Sequence, residues 1–338
     1  MDPSSFTSSS EGPYRGALRA SQGVVFASLA LTAVCVWFAN AAVAGIRRDS
    51  LPERALFARL REPRPYAAVV LGSSRAKYGI DPGVLGEDCC SLALPGAAAR
   101  MNRVMAEYFL DRGNHAQLVL LEVSPRTFDP AKLWRRVRDD VLSLGVEPAL
   151  ELQRRVYGEP SWGQLGQLVV QGVPLWGEAA PPELVLLGVD YWDPRLGPAA
   201  TGEVDPVTGF APLPAAIEAI PAEPVTAPAI LDPAELAGFA ALIERFQATG
   251  TQVVLVETPV LAAPEVDPFP AFAAAVQAQA EAHGLVHLDW RAGPLAATFE
   301  RTPERFYDAT HLSRAGAEAF SQALRAELER RGLWPPGN

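Results

Sequence analysis

The sequence predicts an α/β fold: a three-layer, doubly wound, mostly parallel sheet that follows one N-terminal transmembrane helix. Short apolar runs without alternation recur along the chain, as expected of strands that are buried on both faces of a parallel sheet. Stretches with apolar residues at helical spacing lie between them, and strands that alternate with helices are typical of doubly wound sheets. A long uncharged apolar segment near the N-terminus predicts the transmembrane helix.

The N-terminal region divides into a tail and an apolar segment. Residues 1–22 are rich in serine, proline and glycine and predict a flexible tail. Residues 23–46 carry no charge, and as a helix they reach roughly 36 Å, enough to cross a hydrocarbon core about 30 Å thick. We interpret this segment as an uncleaved signal anchor. A cleaved signal peptide stays open because Ala42 and Ala44 form an A-x-A-like pattern, and a buried core helix is the third alternative.

Localisation follows from the same segment. Arginines flank both of its ends, so the distribution of positive charge does not fix the orientation. Both signal interpretations nevertheless deliver the main domain out of the cytoplasm. We expect a single-pass membrane protein that contacts the lipid bilayer, with its main domain periplasmic or on the outer surface.

A linker, one large domain and an insertion follow. Residues 47–63 are charged and rich in proline and predict a linker to a domain over 64–333. Its predicted strands are 66–71, 117–123, 252–257 and 285–288, and its predicted helices are 97–110, 236–246, 270–283 and one around 320–328. Residues 131–232 break the alternation with a basic amphipathic stretch and a proline- and tryptophan-rich stretch, which indicates an insertion. The insertion either covers the active site, touches the membrane or a partner, or has no specific role.

Composition excludes several classes of protein. The formal net charge of -10 argues against a nucleic-acid partner, because binding to phosphates needs a basic surface. Three cysteines cannot form a disulfide framework. The chain has only four histidines, and we predict neither a metal nor another cofactor. His115 and His283 at predicted helix ends, and His287 in a predicted strand, are interpreted as structural.

The first strand ends in Gly72-Ser73-Ser74, at the point where a helix is predicted to begin. The glycine permits a tight turn, and the serine hydroxyl then lies at the carboxyl end of the sheet beside free N–H groups of the helix. Such N–H groups stabilise a developing oxyanion. Ser74 is therefore a candidate nucleophile, although the same motif also occurs as a simple turn and helix cap.

Asp308 and His311 lie three residues apart in a loop before the last predicted helix, which Ser313 can cap. In this arrangement the imidazole would accept the serine proton, and the carboxylate would orient and stabilise the imidazolium. The alternative is that both residues only satisfy backbone groups of the loop.

Together the two motifs resemble blocks I and V of the SGNH (GDSL-like) hydrolase superfamily, over roughly residues 65–333. The resemblance implies a flavodoxin-like sheet and a triad of Ser74, His311 and Asp308, with Ser73 in the aspartate position of the Gly-Asp-Ser motif. The sequence LALPG at 92–96 is similar to block II. This similarity implies that the N–H groups of Ser74 and Gly96 contribute to the oxyanion hole.

One block departs from the superfamily. Block III usually carries an oxyanion-hole asparagine, whereas here the strand at 117–123 leads into Ser124-Pro125-Arg126. Ser124 is the candidate replacement. Asn102, in the helix predicted directly after the block II sequence, is a second candidate. Arg75 and Arg126 are candidate residues for binding an anionic substrate, although surface arginines are commonly only solvated or paired.

The anchor and the Gly-Ser-Ser-Arg opening are similar to a membrane-anchored branch, which includes the D-alanine transfer protein of teichoic acid synthesis and alginate-type O-acetylation proteins. This resemblance implies a small-molecule or polysaccharide ester substrate and a multi-pass membrane acyltransferase as partner. The expected function is a serine esterase or O-acyltransferase that forms an acyl-serine, and the sequence leaves hydrolysis and transfer open. The alternative is a non-catalytic scaffold or accessory subunit of a membrane complex.

Overall fold

The computed structural model describes residues 60, 62–129, 205, 207–213, 230–261 and 269–335. The predicted tail, the apolar segment 23–46, most of the linker and the greater part of the insertion, with its tryptophans, lie outside these residues. Within the described ranges no helix combines the length and the apolar character needed to cross a membrane.

The sheet has five strands, and each neighbouring pair is parallel. Their order is β2-β1-β3-β4-β5, which is the flavodoxin-like order. The predicted doubly wound parallel sheet is therefore confirmed. The strands are β1 (Pro65–Leu71), β2 (Cys89–Ser91), β3 (His115–Glu122), β4 (Gln252–Glu257) and β5 (Val286–Asp289).

Helices cover both faces of the sheet because both faces of its strands are apolar. Val69 and Leu71 of β1 face one hydrophobic cluster, and Ala68 and Val70 face the other, as the two-residue period of a strand requires. The first cluster contains residues of α3, α4 and α5, and the second contains residues of α1, α2 and α6. The helices are α1 (Ser74–Gly79), α2 (Pro82–Leu85), α3 (Ala99–Asp111), α4 (Pro233–Gln247), α5 (Pro270–His283) and α6 (Arg314–Arg330).

The strand order also fixes where a site can form. Strand β1 pairs with β2 on one side and with β3 on the other, so the chain reverses its winding direction between these two neighbours. A crevice opens at such a switch point, outside the carboxyl ends of the strands. The turn after β1, which carries Ser74, and the end of β3 at Glu122 both lie at this edge.

Three local features differ from the sequence expectations. Strand β2 was not predicted, because three residues are too few to show a pattern. Leu60 is fully buried in the core although it lies in the predicted linker, so this end of the linker packs on the domain. His115 begins β3 instead of ending a helix, and it is exposed.

Part of the predicted insertion packs against the domain. The segment 207–213, which we call the strap, has buried residues along most of its length. The Ser91 N–H donates to the Thr208 carbonyl at 2.7 Å, and the Arg314 N–H donates to the Leu213 carbonyl at 2.9 Å. The strap therefore joins the edge strand β2 to the first turn of α6.

Candidate active site

The turn between β1 and α1 needs glycine at position 72. Gly72 has a φ of 147°, which side chains other than glycine rarely adopt. A Cβ atom there would lie 2.6 Å from the Glu122 Cβ and 2.9 Å from the Ala76 Cβ. The close approach lets β3 pack directly against the turn. Ser73 then caps α1, and Ser74 is the first helical residue and is only partly buried.

The structure brings the three predicted triad residues into one hydrogen-bonded chain. Ser74 Oγ lies 2.8 Å from His311 Nε2, and His311 Nδ1 lies 2.7 Å from Asp308 Oδ2. These distances are within the range expected between a nucleophile, its base and the group that orients the base. The elements that carry Ser74 and His311 lie at opposite ends of the domain sequence, so the contact depends on the tertiary fold.

A small loop holds the histidine and the aspartate. Phe306 and Leu312 form an antiparallel bridge, and the Tyr307 N–H donates to the His311 carbonyl at 2.9 Å. Ser313 ends the loop by accepting a hydrogen bond from the Gly316 N–H, which caps α6 as the sequence predicts.

The two carboxylate oxygens of Asp308 have different partners: one contacts the loop backbone and the other contacts the imidazole. Its Oδ1 accepts hydrogen bonds from the backbone N–H groups of Thr310 and His311, both at 2.7 Å, while its Oδ2 faces the ring. Burial acts to raise the pKa of Asp308, but the hydrogen bond and charge of His311, with the backbone donors, hold it well below its usual range. An ionised Asp308 places the proton of a neutral His311 on Nδ1, which leaves Nε2 to accept a proton from Ser74.

Two of the predicted oxyanion donors have an N–H group available. In the described part of the chain, neither the Ser74 N–H nor the Gly96 N–H has a hydrogen-bond partner. Gly96 has a φ of 79° in the loop after β2, and the Leu94 N–H ties that loop to the Gly72 carbonyl at 3.2 Å.

The other two candidate donors have engaged polar groups. The Ser124 N–H donates to Thr127 Oγ1 at 2.9 Å, so only the Ser124 hydroxyl is without a hydrogen bond to any described residue. The Asn102 Nδ2 donates to the Ala98 carbonyl at 3.3 Å, and its Oδ1 accepts from the Gly72 N–H at 3.0 Å. Asn102 therefore supports the turn, and its amide is not presented to an oxyanion.

A buried charged layer lies at the carboxyl ends of β3, β4 and β5. Glu257 is 1% exposed and its Oε2 accepts from Arg291 Nε at 2.5 Å, while His287 Nε2 lies 3.0 Å from its other carboxylate oxygen. Arg75 is half-buried and lies near this layer: burial lowers its pKa, and the negative charges of Glu122 and Glu257 oppose that shift. No described residue forms an ion pair with Arg75.

The second predicted arginine lies elsewhere. Arg126 is exposed on the turn that follows β3. No described residue pairs with its guanidinium, and it does not belong to the buried layer.

Sequence reasoning missed the role of Glu122. Its Oε2 accepts two hydrogen bonds from Ser73, one from the N–H and one from the hydroxyl, both at 2.8 Å. Glu122 is 1% exposed, and this burial raises its pKa. The available signal was a single carboxylate at the end of an otherwise apolar strand.

The strap packs against Tyr78, which is a neighbour of His311. Tyr78 of α1 contacts the imidazole edge-on, with ring centroids 6.1 Å apart, and packs with Ala211 and Leu213 of the strap and with Tyr307. Tyr78 therefore contacts the imidazole directly, and the strap, which belongs to the predicted insertion, packs against Tyr78.

Comparison with known proteins gives no family assignment. No protein-family model and no curated protein matches the chain. A solved structure from Bacteroides fragilis, described as that of a candidate acylhydrolase, matches at 10% identity over 82% of this chain and 93% of its own, with a TM-score of 0.37. The Bacillus subtilis protein YxiM matches at 14% identity over 80% of this chain and 58% of its own, with a TM-score of 0.39. TM-scores this low carry no weight for the fold or the function of this chain.

Proposed function

We propose that this protein is an SGNH-type serine esterase or O-acyltransferase that works through an acyl-serine intermediate. The observation that carries the proposal is the continuous chain from Ser74 Oγ through the His311 imidazole to the Asp308 carboxylate. Two unpartnered N–H groups, on Ser74 and Gly96, support it because an oxyanion needs donors that the protein itself does not occupy.

The geometry supports a two-step reaction. His311 Nε2 removes the Ser74 proton while Oγ attacks the carbonyl carbon of an ester or thioester. The N–H groups of Ser74 and Gly96, with the Ser124 hydroxyl, stabilise the oxyanion. The imidazolium, stabilised by Asp308, then protonates the leaving group. In the second step His311 deprotonates water or an acceptor hydroxyl, which attacks the acyl-serine and releases Ser74.

The location and substrate belong to the same proposal. The apolar segment 23–46 supports a single membrane anchor with an extracytoplasmic main domain. The resemblance to envelope O-acetylation proteins supports an ester or envelope polysaccharide as substrate and a multi-pass acyltransferase as partner. Hydrolysis and transfer share the acyl-serine, and exclusion of water from the site decides between them.

The test uses the full chain in detergent and a fluorophosphonate probe. We expect covalent labelling, located on Ser74 by peptide mass spectrometry, and loss of both labelling and ester hydrolysis in Ser74→Ala, by a factor on the order of 10⁶ in kcat. An exposed control, Thr298→Ala, keeps both activities. Addition of a sugar hydroxyl acceptor distinguishes transfer from hydrolysis by the product that forms. Unchanged ester cleavage in Ser74→Ala would refute the proposal.

A non-catalytic subunit of a membrane complex is the second candidate. The observation that favours it is the engaged backbone N–H of Ser124, which leaves only a hydroxyl where the superfamily usually has an asparagine. This alternative predicts stable co-purification with a membrane complex and unchanged envelope acylation in cells that carry Ser74→Ala.

A further inference from the structure

The nucleophile turn, residues 72–74, has three successive backbone N–H groups that differ in their hydrogen-bond partners. The Gly72 N–H donates to Asn102 Oδ1 at 3.0 Å, and the Ser73 N–H donates to Glu122 Oε2 at 2.8 Å. The third, the Ser74 N–H, has no partner in the part of the chain that the structure describes. The two groups before the nucleophile are thus held by side chains, and the next one is left available.

The two acceptors come from different elements. Asn102 lies in α3, on one face of the sheet, and is 2% exposed; Glu122 ends β3 and is 1% exposed. Asn102 is itself held, because its Nδ2 donates to the Ala98 carbonyl. Buried side chains with few accessible rotamers make a rigid support for a turn.

Glu122 fixes Ser73 at two points. Its Oε2 accepts from both the N–H and the hydroxyl of Ser73, and the Ser73 hydroxyl also receives the Arg75 N–H at 3.4 Å. The absence of a side chain at Gly72 lets the Glu122 carboxylate approach this closely. Both contacts with Glu122 hold Ser73 itself, the residue that precedes Ser74, and a shift of Ser73 away from Glu122 would break them together.

We infer that Asn102 and Glu122 are positioning residues, which orient the Ser74 N–H and Oγ relative to an incoming carbonyl and to His311. The inference rests on the proposed function, since it assumes that Ser74 is the nucleophile. Neither side chain touches the reacting atoms; both act through the peptide groups of Gly72 and Ser73. Loss of either acceptor leaves an N–H without a partner and frees the turn to shift.

The structure provides a matched control at the other edge of the sheet. Asn114 is also 2% exposed, and it also joins separate segments: its Oδ1 accepts from the Arg64 N–H at 3.2 Å, and its Nδ2 donates to the Leu60 carbonyl at 2.7 Å. It lies immediately before β3, at the amino end of the strand, away from the nucleophile turn. Asn114→Ala therefore removes a comparable support without touching the site.

The experiment compares Asn102→Ala, Glu122→Ala and Asn114→Ala as full chains, by ester hydrolysis and by the rate of fluorophosphonate labelling. Because a displacement of about 1 Å costs on the order of 100-fold, we expect kcat and the labelling rate to fall ~10–100-fold in the first two, with KM changed by less than about threefold. Asn114→Ala lowers the thermal midpoint and keeps kcat. Glu122→Gln, whose amide oxygen accepts both Ser73 donors, recovers most of the loss.

Each result separates the inference from the proposed function. Wild-type labelling rates in folded Asn102→Ala and Glu122→Ala overturn the positioning role and leave the Ser74 mechanism intact. An equal loss in Glu122→Gln and Glu122→Ala overturns the acceptor role of Glu122. Absence of labelling in the wild type refutes the proposed function itself. If Glu122→Ala does not fold, Ser73→Ala removes the hydroxyl bonds to Glu122 and to the Arg75 N–H while it keeps the Ser73 N–H bond. An unchanged kcat in both Ser73→Ala and Asn102→Ala then overturns the inference.

Discussion

The carboxyl ends and the amino ends of the strands form two opposite rims of the sheet, called here the carboxyl edge and the amino edge. They contain similar residues in different surroundings. At the carboxyl edge, Gly72 with a φ of 147° and the buried Asn102 shape the turn that precedes Ser74. At the amino edge, Gly113 with a φ of 78° and the buried Asn114 shape the turn that precedes β3. Both pairs hold a tight turn with a glycine and an asparagine side chain.

The two turns differ in whether a neighbouring backbone N–H group remains without a hydrogen-bond partner. The side-chain amide of Asn114 ties two segments to the turn. Its Nδ2 donates to the Leu60 carbonyl, before β1, and to the Phe109 carbonyl of α3 at 3.2 Å. At the carboxyl edge an asparagine likewise holds the Gly72 N–H, and Glu122 holds the Ser73 N–H. The Ser74 N–H that follows has no partner among the described residues. Similar local chemistry therefore uses its donors to stabilise the chain at one edge and leaves the Ser74 N–H without a described partner at the other.

The largest effect is expected from loss of the Asp308 carboxylate, which contacts His311 in the candidate site. Asp308→Asn would present an amide N–H₂ to His311 Nδ1 and so select the tautomer that carries its proton on Nε2, which cannot accept the Ser74 proton. We expect kcat to fall about 10⁴-fold with the fold retained. Steady-state ester hydrolysis and circular dichroism measure the two. A loss of less than about tenfold would mean that the carboxylate does not set the tautomer.

The two glycines give the next test. Ala at position 72 places Cβ 2.6 Å from the Glu122 Cβ, whereas Ala at position 113 meets only Pro63 atoms at 3.4 and 3.5 Å. Gly113→Ala should therefore cost about 1–2 kcal/mol of unfolding free energy from its positive φ alone and leave kcat unchanged. Gly72→Ala should cost more and also reduce kcat. Denaturant unfolding with parallel kinetics checks both, and equal effects of the two substitutions would remove the contrast.

The pH dependence of stability gives a smaller, signed effect. Burial raises the pKa of Glu122 above the value of about 4.3 in an unfolded chain. Between these two values the folded state binds more protons, so the Glu122 contribution to the free energy of unfolding falls as pH rises. Glu122→Gln should therefore gain stability relative to wild type as pH increases from about 4.3. Asn114→Ala, at the amino edge, should differ from wild type by the same amount at every pH. Urea unfolding across a pH series measures both differences. A free energy of unfolding of Glu122→Gln that falls relative to that of wild type as pH rises would contradict the sign.

The smallest effect is expected from the exposed ion pair of the amino edge. Arg64 Nη2 lies 2.6 Å from Asp88 Oδ1, but the Asp88 side chain is 58% exposed. We expect Asp88→Ala to change the free energy of unfolding by less than about 1 kcal/mol, with a difference that shrinks further in high salt. Activity should not change. A kcat effect here would show that the amino edge also contributes to the site.

The sequence predicts the sheet well because strands buried on both faces produce uniform apolar runs. Strand β4 and helix α5 have the predicted bounds, and the bounds of β1, β3 and β5 shift by one or two residues. Strand β2 escapes prediction because it is a three-residue edge strand whose apolar neighbours continue into a loop. The strap escapes because its pairing with Ser91 and Arg314 depends on tertiary contacts that leave no local pattern.

The candidate site divides in the same way. Ser74, His311 and Asp308 occur in short motifs with local meaning, so sequence reasoning proposes them together, and the structure brings them within hydrogen-bond distance. Asn102 and Glu122 support the turn across 30 and 49 residues of chain. Their partners are fixed only when α3 and β3 pack beside β1, so the sequence suggested an oxyanion role for Asn102 and none for Glu122.

The strap has a consequence for solubility. Strand β2 is one of the two outer strands of the sheet, and an unpaired outer strand can template intermolecular pairing and aggregation. The Thr208 carbonyl occupies the outward-facing Ser91 N–H, so the strap shields this strand from a second molecule. Replacing residues 131–232 by a short loop would therefore open the edge to self-association even where the five strands still form.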